Sequence, residues 1–375
     1  MSGRWILQFC HCHYGPFLDV ARQYAALFKE TPYKVLTVYL TGEPTDEAIT
    51  GSASDEVIFL NFSSKQVGGL KLAAIGALKT IAASRDFAFV IAHRAKPTYI
   101  ACLATKLPVI SVHHAFGDYR RASRRWFANA FRNRLSLLAV SNAVRDDIRR
   151  CLPGWSADKI ETLHNRLDVS AVEAEIIPRD AARETLGLPH DSLVIGNVGR
   201  LHPDKDQATL LAGFAKALPN LPEGVLLAIA GSGPLENSLK EQTISLGIAN
   251  RVRFLGQVPN VRRLFSAFDL FVLSSDHEPF GMVLLEAMAA GVPVIATDCG
   301  GAPEVIADRN ALFNLGDSQG LARQLIAFCN LPASDRSMRI RNARERLSEA
   351  FSDTAAAKRF FSLSMVEKAM ERDNG

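Results

Sequence analysis

Short apolar runs bounded by turn residues recur along the whole chain, and longer amphipathic stretches separate them. In the first half the runs are Trp5 to Phe9, Tyr33 to Leu40, Val57 to Phe59, Phe87 to Ala92, Pro108 to Val112 and Leu137 to Val140, with Ile160 to Leu163 closing the set. Each has the length of a strand buried on both faces. Asp19 to Phe28, Gly69 to Ser84 and Ala143 to Arg150 space their apolar residues as helices do. A second series follows at Leu193 to Val198, Val225 to Ala230, Val252 to Leu255, Leu270 to Leu273 and Val292 to Ala296. Between the two series, Ala171 to Gly187 is polar and holds Pro178, which predicts a connection ending in a short helix at Ala181 to Leu186. The alternation predicts an α/β protein with two Rossmann-like, doubly wound parallel sheets, one in residues 1–187 and one in 188–375. The tail, Asp353 to Met370, is helical in pattern.

The bulk properties narrow the class without naming it. A chain of 375 residues fits two cores better than one. Its 48% apolar and 22% charged residues are ordinary for a globular enzyme. The sequence offers no apolar stretch of spanning length, and MSGRWILQFC is too short and strand-like for a secretion signal, so the expected location is cytoplasmic. The six cysteines are scattered, which favours free thiols over a disulfide framework or a zinc site. The net charge of +4 is uneven: residues 1–187 hold 24 Lys/Arg against 18 Asp/Glu, and residues 188–375 hold 19 against 21. The basic half suits an anionic partner, such as a membrane surface or a phosphorylated acceptor.

The densest chemistry lies between Asp269 and Glu304. Glu278 and Glu286 sit eight positions apart, with Pro279-Phe280-Gly281, an apolar helical run and Gly291 between and after them. The local order is strand, polar loop, helix, glycine stop, strand. Open α/β sheets bind ligands outside the carboxyl ends of their strands, where this loop falls. Free N–H groups near Phe280, Gly281 and Met282 would favour an anion there. Glu278-Pro-Phe-Gly, Leu-Leu-Glu286-Ala, Gly291-Val-Pro-Val and Gly300-Gly301, in this order, resemble the Glu-x7-Glu signature of retaining GT-B glycosyltransferases of the family 4, or group 1, type.

That resemblance implies two domains facing a cleft, with the last helix, about 353–370, packing back on the first. It implies a nucleotide-diphosphate sugar as donor, a glycan or lipid-linked acceptor, retention at the anomeric carbon by front-face displacement, and no metal or other cofactor. Glu286 would accept the ribose hydroxyls and Glu278 those of the transferred sugar, since a carboxylate can take two O–H donors. Gly199-Arg200, with Lys205, would hold the diphosphate and stabilise its growing charge as the glycosidic bond breaks. Gly231 and Gly233 look like the turn near the nucleotide, or serve only the turn; the strand from Arg253 and the loop at Val258 look like the base contact. In the first half, His113 of the His113-His114 pair aligns with a histidine near the reacting centre. Only Gly15 matches the usual glycine pair before the first helix. The adjacent Cys10-His11-Cys12-His13 run is better suited to an acceptor loop than to a tetrahedral metal shell. Ser141 has a sufficient role as a helix cap. Arg166 stands where the family has glycine in Asn165-Arg166-Leu167-Asp168.

Tyr119 to Arg134 interleaves six arginines, Arg120, Arg121, Arg124 and Arg125 among them, with Trp126, Phe127 and Phe131. This suits either an interfacial helix on anionic lipid or a solvated helix with its aromatics turned inward. No nucleic-acid recognition module is present. The resemblance thus implies a sugar transferase of cell-envelope type, such as those of lipopolysaccharide assembly, and the basic first half suits peripheral contact at the inner membrane face. The alternatives are a nucleotide-sugar epimerase of the same architecture and a non-catalytic nucleotide-sugar-binding protein.

Overall fold

The apolar runs form two separate parallel sheets in the computed structural model, which describes residues Arg4 to Glu371. The first sheet comprises β1 (Trp5–Cys10), β2 (Lys34–Tyr39), β3 (Glu56–Phe59), β4 (Phe87–His93), β5 (Val109–His113), β6 (Leu135–Ala139) and β7 (Ile160–Thr162). Its spatial order is β3-β2-β1-β4-β5-β6-β7. The second sheet comprises β8 (Val194–Val198), β9 (Leu226–Ala230), β10 (Val252–Gly256), β11 (Leu270–Leu273), β12 (Val294–Thr297) and β13 (Leu312–Phe313), in the order β10-β9-β8-β11-β12-β13. All pairings are parallel. Central strands such as β4 are buried along their whole length, which is why they read as unbroken apolar runs rather than as alternation. In each sheet the chain reverses its direction of growth once, between β1 and β4 in the first and between β8 and β11 in the second. Those two crevices are where such sheets take ligands.

The chain divides differently from the expected 187/188 boundary. One compact unit runs to Arg166 and resumes at Asp353, and the other is Leu167–Ser352. The reason is visible in Arg183, which lies on the helix Arg179–Leu186. Its guanidinium is wholly buried, donates to the carbonyls of Ala267, Pro189, His190 and Ser192, and pairs with Asp269 at 2.7 Å. A buried cation needs that full set of acceptors, so this polar segment belongs to the second core. The tail returns to the first unit in the helices Asp353–Phe361 and Ser364–Glu371. Asp353 receives Arg22 and the buried Arg166, each at 2.8 Å, and Phe360 and Phe361 pack edge-on against Phe28. Arg166 thus occupies the glycine position as a structural clamp. The helices Ala95–Ala104 and Ala333–Phe351 are additions to the sequence reading. No described helix is long and apolar enough to cross a membrane.

Candidate functional site

The second unit brings two loops together at its topological crevice. The loop after β8 carries Gly199, Arg200 and Lys205, and the loop after β11 carries Ser274 to Phe280. Lys205 Nζ lies 2.9 Å from Glu278 Oε2 and 3.4 Å from Ser275 Oγ. Glu278 is only 8% exposed, so this pair is screened less than a surface ion pair. Arg200 is 70% exposed and reaches Asp204 at 3.1 Å, and Asp204 also meets His202. Lys205 and Glu278 therefore meet across loops some seventy residues apart, while Arg200 and Asp204 form a second ion pair within the first of those loops.

The surrounding chain fixes that geometry. Ser274 Oγ donates to the Lys205 carbonyl at 2.8 Å, the Asp276 N–H to the Asp204 carbonyl at 3.1 Å, and Thr297 Oγ1 to the Ser275 carbonyl at 2.6 Å. Cys299 Sγ donates to the Asp276 carbonyl at 2.7 Å; burial, followed by Asp276 and Glu278 nearby, raises its pKa and keeps it a thiol. The turn at Gly300-Gly301 lies directly on the Glu278–Phe280 backbone. A Cβ on Gly300 would overlap the Glu278 carbonyl oxygen, and Gly300 has φ +59°. The Gly301 N–H donates to that same carbonyl at 2.8 Å. None of Asp204, Ser274, Ser275, Thr297 and Cys299 stood out in the sequence. The only available signal was their position at or just past strand ends.

Glu278 is followed by the helix Met282–Ala289, which starts at Gly281 with φ +106° and no capping side chain. Its first N–H groups are therefore available to an anion. Glu286 is half-buried, one turn along from Met282. Phe280 differs from a crevice residue: its ring is buried and packs at 5.7 Å on Phe351. Gly231 and Gly233 have a structural role. Either with a Cβ would collide with the carbonyl of Gly199 or of Leu201, and Ser232 accepts the Leu201 N–H at 3.0 Å. Their lack of side chains lets that turn lie against the Arg200 loop. Val258 is half-buried in the loop after β10.

In the first unit the histidine assignment changes. His113 is 1% exposed and spends both ring nitrogens internally, Nδ1 on Asp118 at 2.8 Å and Nε2 on Ser111 at 3.0 Å and Tyr119 at 3.2 Å. It shares a strand face with Ser111, which bonds Thr98 of the neighbouring helix. Strand parity therefore turns it into the interior. His114, one residue further, stacks on His93 at the end of β4. Burial, then the neighbouring His113 and Arg94, push its pKa down to about 3, so at neutral pH it is an uncharged donor–acceptor. His11, past β1, is also pushed down by burial, Lys96 and Arg94. Gly15 forms an open turn at φ +57°. In the Cys-His-Cys-His run, His13 packs on Tyr39 and Phe59, Cys10 is buried with its thiol pushed up to about 12, and no cluster with metal-ligand character exists among the described residues.

The arginine-rich stretch forms the helix Ala122–Phe131. Arg124 pairs with Asp118 at 2.7 Å, and Arg125 donates to the carbonyls of Tyr119 and Arg120. Arg120 and Arg121 are exposed.

Residues 178–346 match the model of glycosyl transferases group 1, and residues 19–171 match that of glycosyltransferase family 4. The chain belongs to the group 1 glycosyltransferases and has their GT-B fold. It is 35% identical over 196 residues to the N-acetyl-alpha-D-glucosaminyl L-malate synthase of Bacillus anthracis, covering 51% of this chain and 50% of that one. It is 34% identical over 190 residues to the lipopolysaccharide core biosynthesis glycosyltransferase LpsE of Rhizobium meliloti, covering 47% and 53%. The chain thus spans about half the length of these curated relatives. Its fold is shared with Anabaena HepE, solved in complex with UDP and glucose, at a TM-score of 0.73 and 22% identity over 94% of this chain and 97% of that one.

Proposed function

We propose that this protein transfers a sugar from a nucleotide-diphosphate sugar to a glycan or lipid-linked acceptor of the cell envelope, with retention and without a metal cofactor. The observation that carries the reading is the Lys205–Glu278 pair joining the loops after β8 and β11, with the exposed Arg200 on the first loop and an uncapped helix start after the second. Cations placed there take up the charge that develops on a departing diphosphate, the role a divalent ion plays elsewhere. Glu278 accepts hydroxyls of the transferred sugar and Glu286 those of the ribose. In the first unit His114, rather than His113, is the histidine placed to act as a neutral hydrogen-bonding group. HepE was solved with UDP and glucose, and LpsE is named for lipopolysaccharide core synthesis; both support a sugar nucleotide and an envelope glycan here. The test is release of nucleoside diphosphate on mixing sugar nucleotide with acceptor, with the product's anomeric configuration read by proton NMR. An inverted product removes the retaining assignment, and turnover of donor to an epimer without acceptor favours the epimerase.

An anionic bilayer is the partner that the outer helices of the first unit fit. The helix Leu72–Ala83 buries only Ala74 and Leu78 and carries one charge, Lys79. Leu70 and Leu72 are 69% and 70% exposed, and Trp126 is 75% exposed. This helix packs beside Ala95–Ala104, which in turn packs beside Ala122–Phe131. Residues 57–145 hold 14 Lys/Arg against two Asp/Glu. Exposed apolar side chains within such a cationic field match a lipid surface better than a nucleic acid. These features support a location at the inner membrane face, where a lipid-linked acceptor would lie.

A further inference from the structure

At the topological crevice of the first unit, the loop after β4 carries two cations without carboxylate partners. β4 ends at His93, and Arg94 then takes φ +75° and ψ 164°, a conformation that glycine tolerates and arginine rarely adopts. Its exposed guanidinium lies 4.8 Å over the ring of Phe17, the first residue of the helix after β1. Lys96, two residues on, is half-buried. Neither finds a carboxylate among the described residues. A third cation, Lys71, donates to the Gly69 carbonyl at 2.6 Å and lies 4.9 Å over the ring of Tyr99, so neutral groups hold it. The charges that act on His11 are Lys96 and Arg94, and the one that acts on Lys71 is Lys96, all positive. Asp118 acts on His114 but is already engaged by His113 and Arg124. Two ring nitrogens at the same strand ends, His11 Nδ1 and His93 Nε2, are buried without a partner.

We propose that this crevice recognises an anionic group, phosphate or carboxylate, on the sugar acceptor, and that Arg94 and Lys96 set that preference. That an anion binds here stands on the cation cluster alone; that the anion belongs to the acceptor rests on the sugar-transfer reading. Cations gathered on one crevice repel one another and are favourable together only with an anion between them. The planar fork of arginine and the point charge of lysine both suit phosphate and carboxylate oxygens. A bare turn after β4 would be served better by glycine. Arginine held there against its backbone preference marks a position where the side chain has a use. The helix Ala95–Ala104 starts without a capping side chain, so the Ala95 and Lys96 N–H groups add to the same field. The unpartnered imidazole nitrogens can serve the hydroxyls of the sugar that carries the charge.

The test uses the full chain and follows the ring C–H proton resonances of its nine histidines, with His11, His114 and His202 assigned by single changes to Gln. His11 and His114 report this crevice; His202, bonded to Asp204 beside Arg200, reports the donor loop. The probes are glucose 6-phosphate, glucuronate and glucose. A saturable shift of His11 or His114 is expected with glucose 6-phosphate, glucuronate or both, and none with glucose at the same concentration. The phosphate alone, the carboxylate alone or both together assign the kind of anion, and each upholds the proposal. Affinity falls about tenfold or more in Lys96→Gln and in Arg94→Gly, the loss of one charged hydrogen bond. The melting temperature of Arg94→Gly stays at or above the parent's, because glycine takes φ +75° without strain. Arg200→Ala/Lys205→Ala removes the donor-loop cations and keeps the His11 and His114 response, so failure of the sugar-transfer reading and failure of this one are read separately. If Arg94→Gly melts early, Arg94→Gln replaces it. No shift of His11 or His114 with either anion, an equal shift with glucose, or parent-like affinity in the folded variants overturns the proposal.

Discussion

Lys205→Ala perturbs both halves of the proposed chemistry at once. The parent residue places its ammonium 2.9 Å from a carboxylate that is 8% exposed. Its loss leaves Glu278 with a charge and one fewer donor in a largely dry crevice. A hydrogen bond to a charged group contributes roughly 1.5–3 kcal/mol. The higher cost of 3–5 kcal/mol, typical of fully buried pairs, is an upper limit, because the Lys205 side chain keeps 20% exposure and lets water in. Roughly 1.5–3 kcal/mol corresponds to a loss in turnover of about 10- to 150-fold. The same change removes a cation from the leaving diphosphate, so calorimetric affinity for free nucleoside diphosphate falls as well. Glu278→Gln keeps the shape and removes the charge. The double variant with Lys205→Ala is then expected to lose less than the two single losses combined, because the residues act as a pair. Initial rates at saturating donor, diphosphate calorimetry and melting curves on all four proteins complete the cycle. Parent-like rate and parent-like affinity in Lys205→Ala would refute the assignment of the crevice.

The remaining expectations follow from single observations. Glu286→Ala cuts turnover at least about tenfold while the melting temperature holds, because a half-buried helix residue loses a hydroxyl acceptor worth roughly 1.5–3 kcal/mol; unchanged kinetics would remove it from the site. Activity is expected to persist in excess EDTA if Arg200 and Lys205 serve the leaving group as proposed; abolition by chelator with rescue by manganese or magnesium contradicts this. Gly300→Ala lowers the melting temperature by roughly 4–8 °C, from backbone strain and overlap with the Glu278 carbonyl costing about 2 kcal/mol; an unshifted melt would show that the turn gives way. Leu70→Ser/Leu72→Ser and Arg120→Ser/Arg121→Ser each reduce co-sedimentation with anionic vesicles, since each surface cation contributes about 1 kcal/mol at low salt. Changing Arg124 and Arg125 adds less, because internal acceptors already hold them. Vesicle binding equal to the parent in both pairs would make this face an ordinary solvated one.

The strands were legible because parallel strands buried on both faces leave unbroken apolar runs, and β11 emerged with the residues the pattern gave it, Leu270–Leu273. The Glu278-to-Glu304 block was legible because its chemistry is contiguous. What depends on distant partners was not. The Lys205–Glu278 pair joins residues 73 apart, and Arg183 looks like one more polar residue of a linker until its five oxygen partners are seen. The choice between His113 and His114 turned on strand parity and on where β5 ends, and a boundary error of one residue reverses it. The helix Ala333–Phe351 buries only Leu347 and Phe351, so its apolar stripe is too thin to register. The exposed cations Lys79, Arg120 and Arg121 belong to different elements, whose packing order shows only when the helices are laid side by side.

The central claim, a sugar nucleotide held between the loops after β8 and β11, is tested most directly by melting the protein with UDP-, GDP-, ADP- and CMP-sugars in turn. A ligand that binds only the folded chain raises the melting temperature with concentration, by about 2.7 kcal/mol at a hundredfold excess over Kd. At least one of these sugar nucleotides is expected to stabilise the parent, and Arg200→Ala/Lys205→Ala, read against its own ligand-free melt, is expected to lose the response. Stabilisation by none of them, or a full response in the double variant, would contradict the claim.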